Sequence, residues 1–130
     1  MPLDTQSQIA KSLFRYLEST PSTMTAIKTW AKETPSILET GAVVVADNQT
    51  EGRGQYGRSW ESDTSDGLYY SFISKISSKK LSGNITITEE IAPYIKQAIV
   101  DVVPIELRVK PPNDIYFKDK KLAGILCETT

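Results

Sequence analysis

The sequence predicts an α+β fold, a mixed β-sheet with helices packed on it. Apolar residues recur at helical spacing in three separate stretches. Between and after them lie β-branched or alternating runs that read as strands. These strands come in pairs as well as alternating with helices, which favours a mixed sheet over a purely parallel one.

Residues 6–18 place Ile9, Leu13, Tyr16 and Leu17 at i, i+4, i+7 and i+8, the pattern of an amphipathic helix. A second, short helix follows. Ser22 or Thr23 can cap it, Met24, Ile27 and Trp30 or Ala31 supply its apolar face, and the Thr34-Pro35 step ends it. The run "AVVVAD" (42–47) is continuously apolar until its last residue and predicts a central strand buried on both faces. "GLYYSFIS" (67–74) predicts the next strand and the polar "SSKKLSG" (77–83) a loop. A third helix is expected over 86–103, opened by a Thr86/Glu89 capping box. Its buried stripe would be Ile91, Ile95, Ala98, Ile99 and Val102, with Pro93 near enough to its start to be tolerated. "IELRVK" (105–110) alternates as a strand should. "IYF" and "LAGILCE" flank "KDKK" as a hairpin. There is no internal repeat and no linker, so residues 1–130 read as one domain.

Composition narrows the chemistry. The chain has 130 residues, 39% of them hydrophobic and 24% charged, enough for a core and too ordered a mix for a disordered chain. Fifteen Lys and Arg against 16 Asp and Glu argue against a general nucleic-acid or membrane-surface binder, so any basic function is local. No apolar run is long enough to span a bilayer, the N-terminus lacks a signal-peptide core, and the lone Cys127 forbids an intrachain disulfide. Together these favour the cytoplasm. The chain contains no histidine, which removes Ser-His and Cys-His catalysis and His-based zinc sites. Lys, Arg, carboxylates, backbone amides and a hard cation such as Mg²⁺ are what is left for any chemistry.

Three constellations could carry it. In "TEGRGQYGRSWES" (50–62), three glycines and two arginines alternate from Gly52 to Arg58. The loop amides can point at an anion and Arg53 and Arg58 can clamp it, although the loop is neither a P-loop nor a dinucleotide fingerprint. An ordinary surface loop with scattered charges is the plain alternative. In "VKPPNDIYFKDKKLAGILCE", Lys110 ends a strand and is held extended by Pro111, which suits a group that fixes a phosphate or carboxylate oxygen. Asn113 and Asp114 are accounted for by turn capping alone, and Lys118, Lys120 and Lys121 read as a solvated hairpin tip. In "ESTPSTM", helix capping explains one of Ser19, Thr20, Ser22 and Thr23, and the others are open to a polar ligand.

Taken together these segments resemble the biotin protein ligases, also called biotin–[acetyl-CoA-carboxylase] ligases. The family's GRGRRGR loop followed by Trp is similar to Gly52-Arg53-Gly54-Gln55-Tyr56-Gly57-Arg58-Ser59-Trp60, and its KWPNDIY…KLAGIL segment to Lys110 through Leu126. Its Ser-Thr-Asn turn is similar to Ser22-Thr23-Met24, and Gln49 matches the Gln three residues before the loop's first glycine. The resemblance implies a catalytic domain like that of class II aminoacyl-tRNA synthetases, with biotin and ATP as substrates and Mg²⁺ arriving with ATP. Biotin's carboxylate would attack the α-phosphate of ATP, and a lysine of the biotin carrier domain of acetyl-CoA carboxylase would then attack the adenylate. No enzyme nucleophile is needed, in keeping with the missing histidines. The mobile glycine loop would fold over the adenylate and exclude water.

The resemblance assigns Lys110, Arg53 and Arg58 to catalysis. Biotin falls to Ser22, Thr23, Gln49, Gly52, Arg53, Gly54, Lys110, Gly124 and Leu126. The nucleotide falls to Arg53, Gln55, Arg58, Trp60, Asn113 and Lys110, and no metal ligand is assigned. Gln55 and Tyr56 stand where the family often has two arginines, Pro111 stands for its Trp, and Met24 stands for its Asn. Measured against the family, the expectation is the N-terminal part of the catalytic domain, incomplete at its C-terminus, with no small C-terminal barrel and no DNA-binding helix-turn-helix. Neither nucleic acid nor membrane is expected as a partner, and a homodimer is allowed. The competing functional reading is a truncated form that folds or binds biotin without ligating it. A lipoate ligase is disfavoured because its RRxSGGG-type loop is not found. A basic-loop RNA binder is opposed by the near-zero net charge.

Overall fold

The computed structural model describes residues 13–62, 66–75 and 84–129. These fall into two compact units, one within residues 1–75 and one within 76–130. The loop expected over 77–83, and residues 6–12 of the first expected helix, lie outside the described residues.

The first unit is a β–α–β crossover with a third strand added. Strands β1 (Phe14–Thr20), β2 (Val43–Gln49) and β3 (Tyr69–Phe72) form a sheet in the order β1-β2-β3. β1 runs parallel to β2 and β3 antiparallel to it, so the sheet is mixed, as the sequence predicts. A parallel pair needs a crossover connection. Here that connection is helix α1 (Thr23–Glu33) followed by the single helical turn α2 (Ile37–Thr40), which the sequence reading did not anticipate.

β1 corrects the first expectation, since residues 14–18 are strand rather than helix. The stretch "FRYLEST" carries aromatics at Phe14 and Tyr16 and a β-branched Thr20, all at period two. Pairing with β2 from Phe14↔Val43 to Thr20↔Gln49 decides between that period and the helical one.

α1 follows expectation closely. Ser22 is its N-cap, and its Oγ accepts the Thr25 backbone N–H at 3.2 Å. Thr34 is its C-cap. Ile27 and Trp30 pack with Ile37, Ala42 and Val44 into a core cluster, and the Arg15 guanidinium lies 4.0 Å over the Trp30 ring. Ser22→Ala should cost about 1 kcal/mol and lower Tm by a few degrees, because the Thr25 N–H then loses its buried acceptor. Thermal melts of parent and variant, with Ser22→Thr recovering most of the loss, check this.

β2 is central, as expected, but it is not buried on both faces. Val44 and Ala46 are buried beside α1. On the other face Val43 and Val45 are half-buried and lie between Phe14 and Tyr16 of β1 and Phe72 and Tyr70 of β3, all four exposed. At the end of that face the Tyr16 hydroxyl donates to the Asp47 carboxylate, which holds the phenol above its ordinary pKa.

The second unit pairs helix α3 (Asn84–Val102) with an antiparallel sheet of β4 (Arg108–Lys110), β5 (Asp114–Phe117) and β6 (Lys120–Gly124), in that order. α3 starts two residues before its expected position, so Thr86 lies in its first turn and is not its cap. Pro93 consequently falls in mid-helix. Proline has no N–H to give the Glu89 carbonyl, and both residues face solvent, where water can satisfy that carbonyl. The expected buried stripe is only half-buried at Ile91, Ile95 and Ile99, while Val102 is 81% exposed. Ile87, Thr88 and Ala92 are its buried residues instead. The hairpin is where the sequence placed it. Lys118 takes the left-handed conformation at its turn, with φ 54°. Ile115 is fully buried at the centre of the sheet.

Candidate functional site

In the first unit the glycine loop is tied to the start of α1. Beyond β2 the chain keeps running beside β1: the Thr50 N–H donates to Thr20 O at 3.0 Å and the Glu51 N–H to Pro21 O at 2.7 Å. This lays the loop root against the helix cap. Gln49 then bridges the two. Its Oε1 accepts the Thr23 N–H at 2.8 Å and its Nε2 donates to the buried Ser62 Oγ at 3.4 Å. One step on, Arg53 Nη2 donates to Thr25 Oγ1 at 3.3 Å.

The loop closes on itself as a narrow hairpin. The Trp60 N–H donates to Gly52 O, the Gly54 N–H to Arg58 O and the Arg58 N–H to Gln55 O. These three amides are spent inside the loop. The expectation that loop amides point at an anion is therefore not met at these positions, and positive charge comes from the side chains of Arg53 and Arg58. At the tip, Tyr56 (φ 58°) and Gly57 (φ 73°) turn the chain through left-handed backbone. Between the loop root and Trp60 lies an open cleft of about 480 Å³, lined by residues 48–52 and 59–62.

The hydroxyl cluster is fully engaged. Thr23 Oγ1 shares a buried hydrogen bond with Ser71 Oγ of β3 at 2.7 Å, Thr20 Oγ1 donates to Ser22 O at 3.4 Å, and Ser19 Oγ accepts from Asn48 Nδ2 at 3.1 Å. Capping by Ser22 explains one hydroxyl, and protein partners explain the others.

In the second unit the expected residues gather at one end of the sheet. Lys110, Asp114 and Gly124 sit opposite one another across β4, β5 and β6. The Asn113 carbonyl accepts the Ile125 N–H at 2.8 Å, which holds the segment leading to Leu126 against the turn after Lys110. Lys110 is exposed, and its Nζ lies 5.3 Å from the Tyr116 ring centroid, with the Arg108 guanidinium 5.4 Å from the same ring. Lys118 and Lys120 are exposed as a hairpin tip should be. Lys121 departs from that reading, because its Nζ lies 2.9 Å from Asp114 Oδ1. That oxygen is buried and accepts no hydrogen bond among the described residues, so the ion pair is what compensates it.

The structure thus brings together Ser22, Thr23, Gln49, Gly52, Arg53, Gly54 and Trp60 in the first unit, with Gln55 and Arg58 at the loop tip. Lys110, Asn113, Gly124 and Leu126 come together in the second. Sequence reasoning missed Thr25, Ser62 and Ser71. They are common polar residues with no motif around them, and long-range hydrogen bonds alone reveal them.

A family model described as the biotin/lipoate A/B protein ligase family matches residues 16–130, which include both clusters. The chain belongs to this family. It is 34% identical over 120 residues to the biotin–protein ligase of Homo sapiens, covering 88% of this chain and 16% of that protein. It is 31% identical over 96 residues to the biotin–[acetyl-CoA-carboxylase] ligase of Mycobacterium tuberculosis, covering 68% of this chain and 34% of that protein. The structure resembles the biotin protein ligase of Aquifex aeolicus in complex with biotin and ATP. The TM-score is 0.71 and the identity 31%, over 90% of this chain and 47% of that one. The chain therefore spans less than half the length of each of these relatives. The fold match supports the α+β reading, although the crossover strand β1 replaces an expected helix.

Proposed function

We propose that the chain carries residues for ATP-dependent attachment of biotin to a lysine of a biotin carrier protein, such as the carrier domain of acetyl-CoA carboxylase. The observation that carries the reading is the docking of the Gly-Arg loop onto the N-terminal turn of α1 through Gln49–Thr23 and Arg53–Thr25. It places one of two motif arginines beside the residues that the family resemblance gives to biotin. In the first step the biotin carboxylate attacks the α-phosphate of ATP, giving biotinyl-5′-adenylate and pyrophosphate. The carrier amine then attacks the acyl carbon and AMP leaves. Both steps move charge on oxyanions, so the protein's part is positioning and electrostatic stabilisation. Arg53 and Arg58 would neutralise phosphate and carboxylate oxygens. Lys110 would do the same from a strand end. Gln49, Gly52 and Gly54 would shape the biotin side in the first unit, and the family resemblance gives Gly124 and Leu126 to biotin as well. Trp60, Gln55 and Asn113 would face the nucleotide. Among the described residues no group of three or more carboxylates or thiols could cage a metal. Mg²⁺ would enter on the ATP phosphates with its waters.

The test is pyrophosphate release with ATP, with and without biotin, followed by transfer of labelled biotin to a carrier domain. Biotin-dependent release and labelling of the carrier are expected. Biotin binding by calorimetry with no release would favour the non-catalytic alternative. Neither binding nor release would overturn both readings.

A further inference from the structure

We infer that Thr25 is a positioning residue that sets the Arg53 guanidinium in place before ligand arrives; the inference deepens the proposed function and rests on it for its kinetic arm. The Gly-Arg loop has two differently supported halves. Its root is cross-linked to α1 twice, by Gln49 to the Thr23 N–H and by Arg53 Nη2 to Thr25 Oγ1. Its tip, from Gln55 to Arg58, turns through left-handed backbone at Tyr56 and Gly57. A Cβ added at Gly57 would meet nothing within 4 Å, so the tip is not packed there. Tyr56 is 78% exposed. Of the two arginines, then, Arg53 is borne by the anchored half and Arg58 by the open one.

Thr25 is suited to this role. Its backbone N–H is already bonded to the Ser22 cap, so its hydroxyl is not needed for the helix. The residue is exposed and contributes little to the core. Its Cβ branching restricts χ1 in a helix to two main rotamers, which narrows the directions the hydroxyl can take. A hydrogen bond to a neighbouring hydroxyl narrows the rotamers of a long arginine side chain, and the competent fraction sets the apparent affinity, since Kd,app is the intrinsic Kd divided by that fraction. The hydroxyl raises the fraction. Removing it should weaken capture of the anionic substrate group without altering the bound complex, where the ligand itself holds Arg53.

The test is a double-mutant cycle on Thr25 and Arg53. Thr25→Val keeps the shape and removes the acceptor. It should raise the biotin KM about tenfold, in line with loss of a hydrogen bond to a charged group, and leave kcat within about twofold. Thr25→Ser should restore the parent KM. In an Arg53→Ala background Thr25→Val should add nothing. In the ligand-free protein the Arg53 Nε–Hε NMR resonance should shift and sharpen in Thr25→Val, a change that a purely helix-stabilising role would not produce. A parent-like KM in Thr25→Val, additive effects in the cycle, or an unmoved Arg53 resonance would each overturn the inference. If Arg53→Ala itself turns over normally, the functional reading fails, and the resonance still decides whether Thr25 holds Arg53.

Discussion

Lys110→Ala is expected to lose about a hundred- to a thousandfold of biotin-dependent pyrophosphate release and to melt like the parent. Lys110 is the last residue of β4, its backbone is held by pairing with Asp114, and Pro111 follows it directly. The side chain is exposed, so the substitution removes little buried surface. What it removes is an ammonium on a fixed stem. Adenylation gathers negative charge on the attacking carboxylate and the α-phosphate, and one preplaced cation at such a centre is commonly worth ~3 kcal/mol of barrier. The Tyr116 ring, 5.3 Å from Nζ, gives the unliganded ammonium a weak resting place that a phosphate oxygen easily outcompetes. Lys110→Arg should recover only a minor part, because the planar guanidinium puts its charge elsewhere. Pyrophosphate release beside a thermal melt decides the matter. Near-normal turnover in the alanine variant would take Lys110 out of the mechanism.

The elements that were legible in the sequence are those whose signals are local. The Ser22 cap, the Thr34-Pro35 stop and the "KDKK" turn each depend on residues within a few positions of one another, and all three form where expected. The first strand was not legible, because Ile9, Leu13, Tyr16 and Leu17 satisfy a helical period while Phe14, Tyr16 and Thr20 satisfy a period of two. Pairing with a strand some thirty residues away chose between them. α3 shows the same limit in another form. Its periodicity was read correctly as helix, but which stripe is buried depends on what packs against it, and Ile87 and Ala92 took that place.

The candidate site divides along the same line. Arg53, Gln49 and Lys110 stand out because charge, glycine and proline cluster around them. Their supports do not stand out. Ser62 receives Gln49 Nε2, Ser71 meets Thr23 and Thr25 holds Arg53, and each is an ordinary hydroxyl until the fold brings it near. The glycines were also undifferentiated in sequence. Gly54 adopts extended backbone at φ −106°, open to any residue, whereas Gly52 is set by close approach.

Gly52→Val should therefore damage the site far more than a substitution at Gly54. A Cβ at Gly52 would lie 2.7 Å from the Trp60 carbonyl oxygen, 2.9 Å from Gln49 Nε2 and 3.2 Å from Ser62 Oγ. A rotamer change cannot relieve a Cβ clash. The Trp60 carbonyl is backbone, in the returning arm of the loop where the Trp60 N–H donates to Gly52 O at 2.8 Å, so moving it opens the hairpin at its root. Moving Gln49 instead removes the acceptor of the Thr23 N–H. Either escape uncouples the loop from α1, and Arg53 goes with it. Overpacking of this kind costs about 1–3 kcal/mol, which the loop can shed by opening. The strain should then appear chiefly as lost ligand affinity, about 10- to 100-fold in biotin Kd, with Tm lower by a few degrees at most. Gly52→Ala should share most of the defect. Gly54→Ala should lose less than Gly52→Ala, because its Cβ would meet Arg58 at 3.6 and 3.8 Å, ordinary contact distances that leave the loop unstrained. Calorimetry of biotin binding to the three variants makes the comparison. Equal damage at both positions would mean that glycine flexibility, and not the close approach of the Trp60 carbonyl, shapes the loop.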